Sequence, residues 1–393
     1  MPTRLKKDKN RALSFQYIFL QNWRNFSNAK ISIQNRTFLF GPNASGKSNF
    51  LDAFRFLHDL ASIGGGGLQE AVRKRGGVSR LRALSARRYS DIIVKVKVGS
   101  SLSPNIWRYE IHFNQDNRQR PVIKKEYITK DGKEILNRPN QADRKDSELL
   151  TQTHLEQVNA NREFRDLADF FSTVRYLHLV PQLVREPDRS VGRKKDPYGG
   201  DFLEQIAGKP DKTRDNWLIR ISEALKVAVP QIEEIKMERD TRGTPHLKAK
   251  YEHWRAQGAW QSEDQFSDGT LRLMGLLWSI LEGSGPLLLE EPELSLHPEV
   301  VKHLPQMLAR VQNRTGRQII LSTHSADLLR DEGIGLDEVI LFTPEKEGTT
   351  LVAVKKISEA KELLKGGLTI ADIVIPRTRP QGVETLPLFE EHK

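Results

Sequence analysis

Residues 41–48 read Gly-Pro-Asn-Ala-Ser-Gly-Lys-Ser, and their flanks restrict what the chain around them can fold into. The pattern places Gly41, Gly46, Lys47 and Ser48 at the offsets of a phosphate-binding loop. Glycine lets the backbone curl until successive N–H groups face phosphate oxygens. Pro42, Asn43, Ala44, Ser45 and Asn49 complete the cradle. Lys47 is suited to the β- and γ-phosphates of ATP, and the Ser48 hydroxyl to Mg²⁺. Thr37 to Phe40 is a short apolar run that predicts a buried strand. Phe50, Leu51, Phe54, Leu57 and Leu60 then recur at helical spacing. A strand, this loop and a helix N-terminus in succession form an anion site that a chance glycine turn lacks.

Composition narrows the class. With no cysteine, disulfides and Cys-based zinc sites are excluded. No apolar run approaches the roughly 18–20 residues of a membrane span, and Met1 to Arg11 is charged with no apolar signal core behind it. The expectation is a cytoplasmic protein without a membrane partner. The formal net charge of +11 calls for an acidic partner. Arg73, Lys74, Arg75, Arg80, Arg82, Arg87 and Arg88 form one basic cluster, and Arg185, Arg189, Arg193, Lys194 and Lys195 a second. Each is either a solvated face, a nucleic-acid contact or a set of arginines serving bound nucleotide.

Chemistry returns late in the chain. Leu287 to Leu289 is an apolar strand that ends in Glu290 and Glu291. Strand alternation points these two carboxylates to different sides. Glu290 suits the Mg²⁺ shell, and Glu291 suits the polarisation of an attacking water. A further apolar strand, Gln318 to Leu321, runs into Ser322-Thr323-His324-Ser325. His324 is either a turn histidine or a catalytic group beside the γ-phosphate; beside the other motifs the catalytic role is preferred. Ser267, Asp268, Gly269 and Thr270 precede the apolar helix Leu271 to Leu281 and form a second helix N-terminus suited to an anion.

Taken together, the phosphate loop, Phe266-Ser267-Asp268-Gly269-Thr270, the run Leu287 to Pro298 and Ser322 to Ser325 resemble the ATPases of the ABC superfamily. Within it they are similar to the SMC/RecF/OLD type rather than to transporter subunits. The match runs through residues 15–345, and Phe15 to Phe26 resembles the family's opening strand. The resemblance implies an α/β P-loop NTPase: an ABC-type head with a mixed-sheet core, an antiparallel β-subdomain and an inserted helical lobe. It implies ATP and Mg²⁺ as cofactors. It also implies a homodimer or higher oligomer in which Ser267 and Gly269 contact ATP on the partner. Leu294 to His297 becomes the loop that crosses to the partner. Two features depart from the usual pattern: Glu290 stands where an aspartate is usual, and Asp268-Gly269-Thr270 stands where transporters carry Gly-Gly-Gln. Gln182, after the apolar stretch Val174 to Leu179, is either the Mg²⁺ and γ-phosphate sensor or a surface residue.

The expected organisation is a single ATPase domain over residues 1–365. Its nucleotide core comes from 12–100 and 261–345, its inserted helical arm from about 101–260, and a tail covers 366–393. Asp91 to Gly99 and Arg108 to Phe113 alternate as antiparallel strands. Asp143 to Leu177 and Ile219 to Val229 carry helical spacing, and Ile232 to Tyr251 predicts a hairpin around Thr241-Arg242-Gly243. Gly64 to Gly67 predicts a mobile break. No heptads are sustained, so a long coiled coil is not expected. Thr385 to Phe389 is either a docking peptide or a tail folded on the core. After His324 too little chain follows for a nuclease domain, so a separate protein effector such as a nuclease is expected. The functional expectation is an ATP-hydrolysing head acting on nucleic acid in phage defence or DNA repair. A transporter subunit and a slowly hydrolysing ATP-dependent scaffold are the alternatives.

Overall fold

The computed structural model describes residues 12–62, 66–86, 90–189, 196–252, 259–379 and 383. The expectations for Gly64 and Gly65, Arg87 and Arg88, Arg193 to Lys195 and Thr385 to Phe389 fall outside these residues. The chain divides into two compact units, one of residues 1–174, 284–286 and 305–393, the other of 175–283 and 287–304.

The first unit contains an antiparallel sheet and a mostly parallel one. Strands β1 (Ser14–Trp23), β2 (Phe26–Ser32), β4 (Ile92–Gly99), β5 (Trp107–Gln115), β6 (Pro121–Lys130) and β7 (Lys133–Arg138) form the six-stranded sheet, ordered β2-β1-β4-β5-β6-β7. Burial alternates along β4, as its Ile-Val-Lys-Val-Lys-Val pattern requires. Strand β3 (Arg36–Phe40) is wholly buried. It lies parallel to Ile319–Thr323 on one side and to Val339–Glu345 on the other, and the latter pairs antiparallel with Gly348–Ala353.

The helix Lys47–Ala61 follows β3 and turns Phe50, Leu51, Phe54, Leu57 and Leu60 inward. Phe50 meets Phe54 and Phe342 edge-on at 5.5 Å each, and Phe15 meets Phe54 at 4.7 Å. Each of these rings gains about 1.5–3 kcal/mol from burial. The packing therefore holds the phosphate-loop helix against strands from both sheets. Gln318 ties the frame at its base. Its side chain accepts from the Phe15 N–H at 2.8 Å and donates to the carbonyls of Phe15 and Gln34.

The second unit pairs Arg175–Leu177 parallel to Leu287–Glu290. It also holds the hairpin Ile232–Arg239 with Pro245–Tyr251, extended by Ala259–Ser262. Helix Asp211–Leu225 packs beside helix Asp268–Leu281, where Trp217 and Trp278 meet at 5.0 Å.

One expectation needs correction. Asp143 to Leu177 is not one helical stretch. It breaks into a five-residue helix, short 3₁₀ turns, helix Arg165–Ser172 and a strand. Asn140 and Asp146 each cap the segment that follows with a side-chain oxygen, which ends one piece and starts the next. The first basic cluster is divided: Arg73, Lys74 and Arg80 are exposed, and Arg75 is not. Arg75 is buried and donates to Asp52 at 2.8 Å and to Asp59 at 2.8 Å, while Arg73 pairs with Glu70.

Candidate nucleotide site

The register of the parallel strands builds one edge of the site. Thr323 lies level with Phe40, so His324 and Gly41 leave adjacent strands at the same carboxyl end. Ligands of open α/β sheets bind at such ends. His324 is half-buried there, and Ser325 caps the short turn after it by accepting from the Leu328 N–H.

The loop itself is shaped by two glycines. A Cβ on Gly41 would lie 2.7 Å from the Phe342 carbonyl oxygen. Gly46 has φ +92°, and a Cβ there would lie 2.0 Å from Asn25 Nδ2. Only glycine fits either place. Ala44 also takes a positive φ of 60°. Asn43, Ala44 and Ser48 are exposed at the mouth, whereas Ser45 and Lys47 are buried. Lys47 Nζ donates to the carbonyls of Gly41 at 2.8 Å and Pro42 at 2.9 Å. The ammonium is thereby held against the inside of the loop that it would share with phosphate.

A clamp beneath the loop escaped the sequence reading. Asn25 Nδ2 donates to the Ser45 carbonyl at 3.2 Å and to Thr349 Oγ1 at 2.8 Å. Asn25 Oδ1 accepts from Asn49 Nδ2 at 2.7 Å, and Thr349 Oγ1 donates to the Ser45 carbonyl at 2.9 Å. The Trp23 indole N–H caps the Asn49 carbonyl at 2.9 Å. Residues 25 and 349 are far apart in sequence and belong to no phosphate-loop pattern. Only the β1–β2 turn and the strand Gly348–Ala353 bring them together.

The second unit carries the carboxylates and the signature residues. Glu290 ends its strand, and the Tyr176 hydroxyl from the neighbouring strand donates to Glu290 Oε2 in a short hydrogen bond. Glu291 has φ +45°, a left-handed conformation that costs a non-glycine residue roughly 1–3 kcal/mol and recurs at functional sites. Both carboxylates line a small cleft with Arg272, Leu177 and Leu276. Burial lowers Arg272 below the usual guanidinium range, against the opposing pull of Asp268, Glu291 and Glu293. Its Nε has no hydrogen-bond partner among the described residues. Arg272 lies one turn into the signature helix and was not singled out from the sequence.

Ser267 is the N-cap of the signature helix, and its Oγ accepts from the Thr270 N–H at 3.1 Å. Its side chain is otherwise exposed. Arg185 fixes the helix start by donating to Asp268 Oδ1 and to the Phe266 carbonyl at 2.6 Å each. This member of the second basic cluster is thus a brace for the signature. A Cβ on Gly269 would lie 2.4 Å from the Ser295 carbonyl oxygen. The signature glycine therefore admits the backbone of the loop that follows Glu291, and Ser295 bends that loop with φ +62°. Gln182 sits exposed in the short helix Pro181–Val184 of the same unit. The structure thus groups 41–49 with His324 in one unit, and Gln182, 267–270, Glu290 and Glu291 in the other.

A family model described as "AAA domain, putative AbiEii toxin, Type IV TA system" matches residues 36–331, about three quarters of the chain. The chain belongs to this family. It is accordingly a P-loop ATPase of SMC/RecF/OLD-like type, and the resemblance drawn from its motifs holds. The fold is that of an SMC head. A Pyrococcus furiosus SMC head domain, solved bound to the C-terminal domain of ScpA, superposes with a TM-score of 0.51 at 12% identity. That match covers 90% of this chain and 100% of that one. A Pyrococcus yayanosii SMC head with a coiled coil and joint gives 0.50 at 11% identity, covering 91% of this chain and 100% of that one. Endonuclease GajA of Bacillus cereus (strain VD045) is 45% identical over 47 residues. This stretch is 12% of this chain and spans only 8% of GajA.

Among the described residues no helix is long and apolar enough to cross a membrane. No group of three or more His, Cys, Asp or Glu side chains suited to a metal occurs among them either.

Proposed function

We propose that the chain is an ATP-driven head that pairs head to tail with a second copy and acts on nucleic acid in phage defence or DNA repair, through a separate effector such as a nuclease. In this reading Gly41 to Asn49 cradle the phosphates, and Lys47 neutralises charge at the β- and γ-positions. Glu291 accepts a proton from the attacking water, and His324 orders that water or the γ-phosphate. Ser48, Glu290 and Gln182 offer hydroxyl, carboxylate and amide oxygens, a donor set that fits hard Mg²⁺. Bound Mg²⁺ supplies charge neutralisation at the phosphate oxygens. Tyr176 orients Glu290.

The observation that carries the pairing is the meeting of Gly269 with the Ser295 carbonyl. It joins the exposed Ser267 N-cap to the loop after Glu291 as one surface, so a partner's nucleotide would address both together. The local match to a protein named as an endonuclease supports the link to nucleic acid. The test is ATP turnover and mass, each measured with and without double-stranded DNA. Turnover that rises with DNA, together with an ATP-dependent doubling of mass, supports the reading. Turnover indifferent to nucleic acid and a constant mass would overturn it.

A further inference from the structure

Strand register assembles a surface that the nucleotide site does not use. Phe19, Lys95, Glu110 and Tyr127 lie in one row across β1, β4, β5 and β6. Tyr17, Lys97, Arg108 and Thr129 form the adjacent row. Lys30 of β2 continues the first row beside Phe19. By strand alternation these residues share the face opposite the buried Val94, Val96, Tyr109 and Ile111. They remain partly exposed, apart from Glu110, whose side chain is 1% exposed.

Phe19, Tyr17 and Tyr127 each have a cation beside the ring. Lys95 Nζ is 5.2 Å from the Phe19 centroid, and Lys97 Nζ is 5.7 Å from that of Tyr17. Lys125 Nζ is 4.9 Å from the Tyr127 ring, with the Arg108 guanidinium at 5.8 Å. Glu110 accepts from Arg108 at 2.8 Å, from Lys125 at 3.0 Å and contacts Lys95 at 3.2 Å. Those contacts, with His112 at 2.7 Å, hold the carboxyl well below its usual range despite burial, which opposes this. One buried carboxylate thus positions several cations without cancelling them. Lys30 and Lys97 add to the excess, and Glu134 is confined to the far edge strand β7.

We infer that this sheet face is a platform for single-stranded nucleic acid. The inference rests on the nucleic-acid part of the proposed function and names its surface and ligand. Rings beside cations on one sheet face match a ligand with alternating bases and phosphates: bases stack on the rings, and phosphates meet the ammonium groups. A duplex hides its base faces, so for a duplex the aromatic half of the pattern would be idle.

The test is fluorescence polarisation with labelled dT20, rU20 and a 20-base-pair duplex over a salt series. The variants are Tyr17→Ala with Tyr127→Ala, and Lys97→Gln. The double aromatic variant should weaken single-strand binding by about tenfold or more per ring. Lys97→Gln should reduce the slope of log K against log salt by about 0.7. The two oligonucleotides tell which sugar is preferred, and the effect on either carries the inference. ATP turnover without nucleic acid should stay unchanged, which checks folding. Duplex binding equal to or tighter than single-strand binding, or single-strand binding indifferent to the rings, overturns this inference while leaving a nucleic-acid role standing. No binding to any of the three, with ATP-dependent pairing intact, overturns it and the nucleic-acid link but not the ATP switch.

Discussion

Replacing Asn25 by alanine tests whether the clamp beneath the phosphate loop sets nucleotide affinity. The change removes the bonds from Asn25 to the Ser45 carbonyl, to Thr349 Oγ1 and from Asn49 Nδ2. At about 1 kcal/mol net for each bond the total is roughly 3 kcal/mol. Thr349 Oγ1 keeps its own 2.9 Å bond to the Ser45 carbonyl, so that oxygen is not left unsatisfied and no further penalty is added. If about 1.4 kcal/mol of the total is preorganisation of the loop, ATP binds roughly tenfold more weakly. Titration with a fluorescent ATP analogue measures this directly. Thr349→Val removes the remaining support, so the two changes should couple by about 0.5–1.5 kcal/mol in a double-mutant cycle. An Asn25→Ala variant of lowered stability but unchanged ATP affinity would refute the clamp. Strict additivity with Thr349→Val would refute the shared role of the Ser45 carbonyl.

Gly269→Ala sets a Cβ 2.4 Å from the Ser295 carbonyl, so ATP-dependent pairing should weaken tenfold or more while ATP affinity of the single chain is kept; sedimentation and titration separate the two. Tyr176→Phe removes the hydroxyl that orients Glu290 and should lower kcat several-fold while raising the Mg²⁺ needed for half-maximal turnover. Stability should fall in acid. Burial by itself would raise Asp59, but the His58 hydrogen bond and the Arg75 charge hold it well below its usual range. A depressed carboxyl contributes stability above its unfolded value of about 4 and loses it as pH falls further. Asp59→Asn should therefore flatten urea stability below about pH 4, and an unchanged acid limb would refute the Arg75 bridge.

The parts legible in the sequence were those fixed by local pattern. The phosphate loop, the strand Leu287–Glu290 and the hairpin 232–251 each declare themselves within a few residues through glycine placement or strand alternation. Supports that cross the chain left no such trace. Asn25 and Thr349, Tyr176 beside Glu290, and Arg185 beneath Asp268 meet only after strands pair. Charge was the most misleading signal. Arg75 counted towards the first basic cluster and is buried between Asp52 and Asp59, because pairing removes a cation from the surface without changing composition. The cations of β4 and β5 lie in alternating strands, each too sparse to form a run, and become a patch only through register.

The central claim, that ATP joins two copies and hydrolysis by Glu291 parts them, is tested most directly by the mass in solution of Glu291→Gln with and without ATP. The account predicts the 44.9 kDa chain alone without nucleotide and a stable particle of twice that mass with ATP. A variant that binds ATP to saturation and keeps the same mass with and without it would contradict the claim.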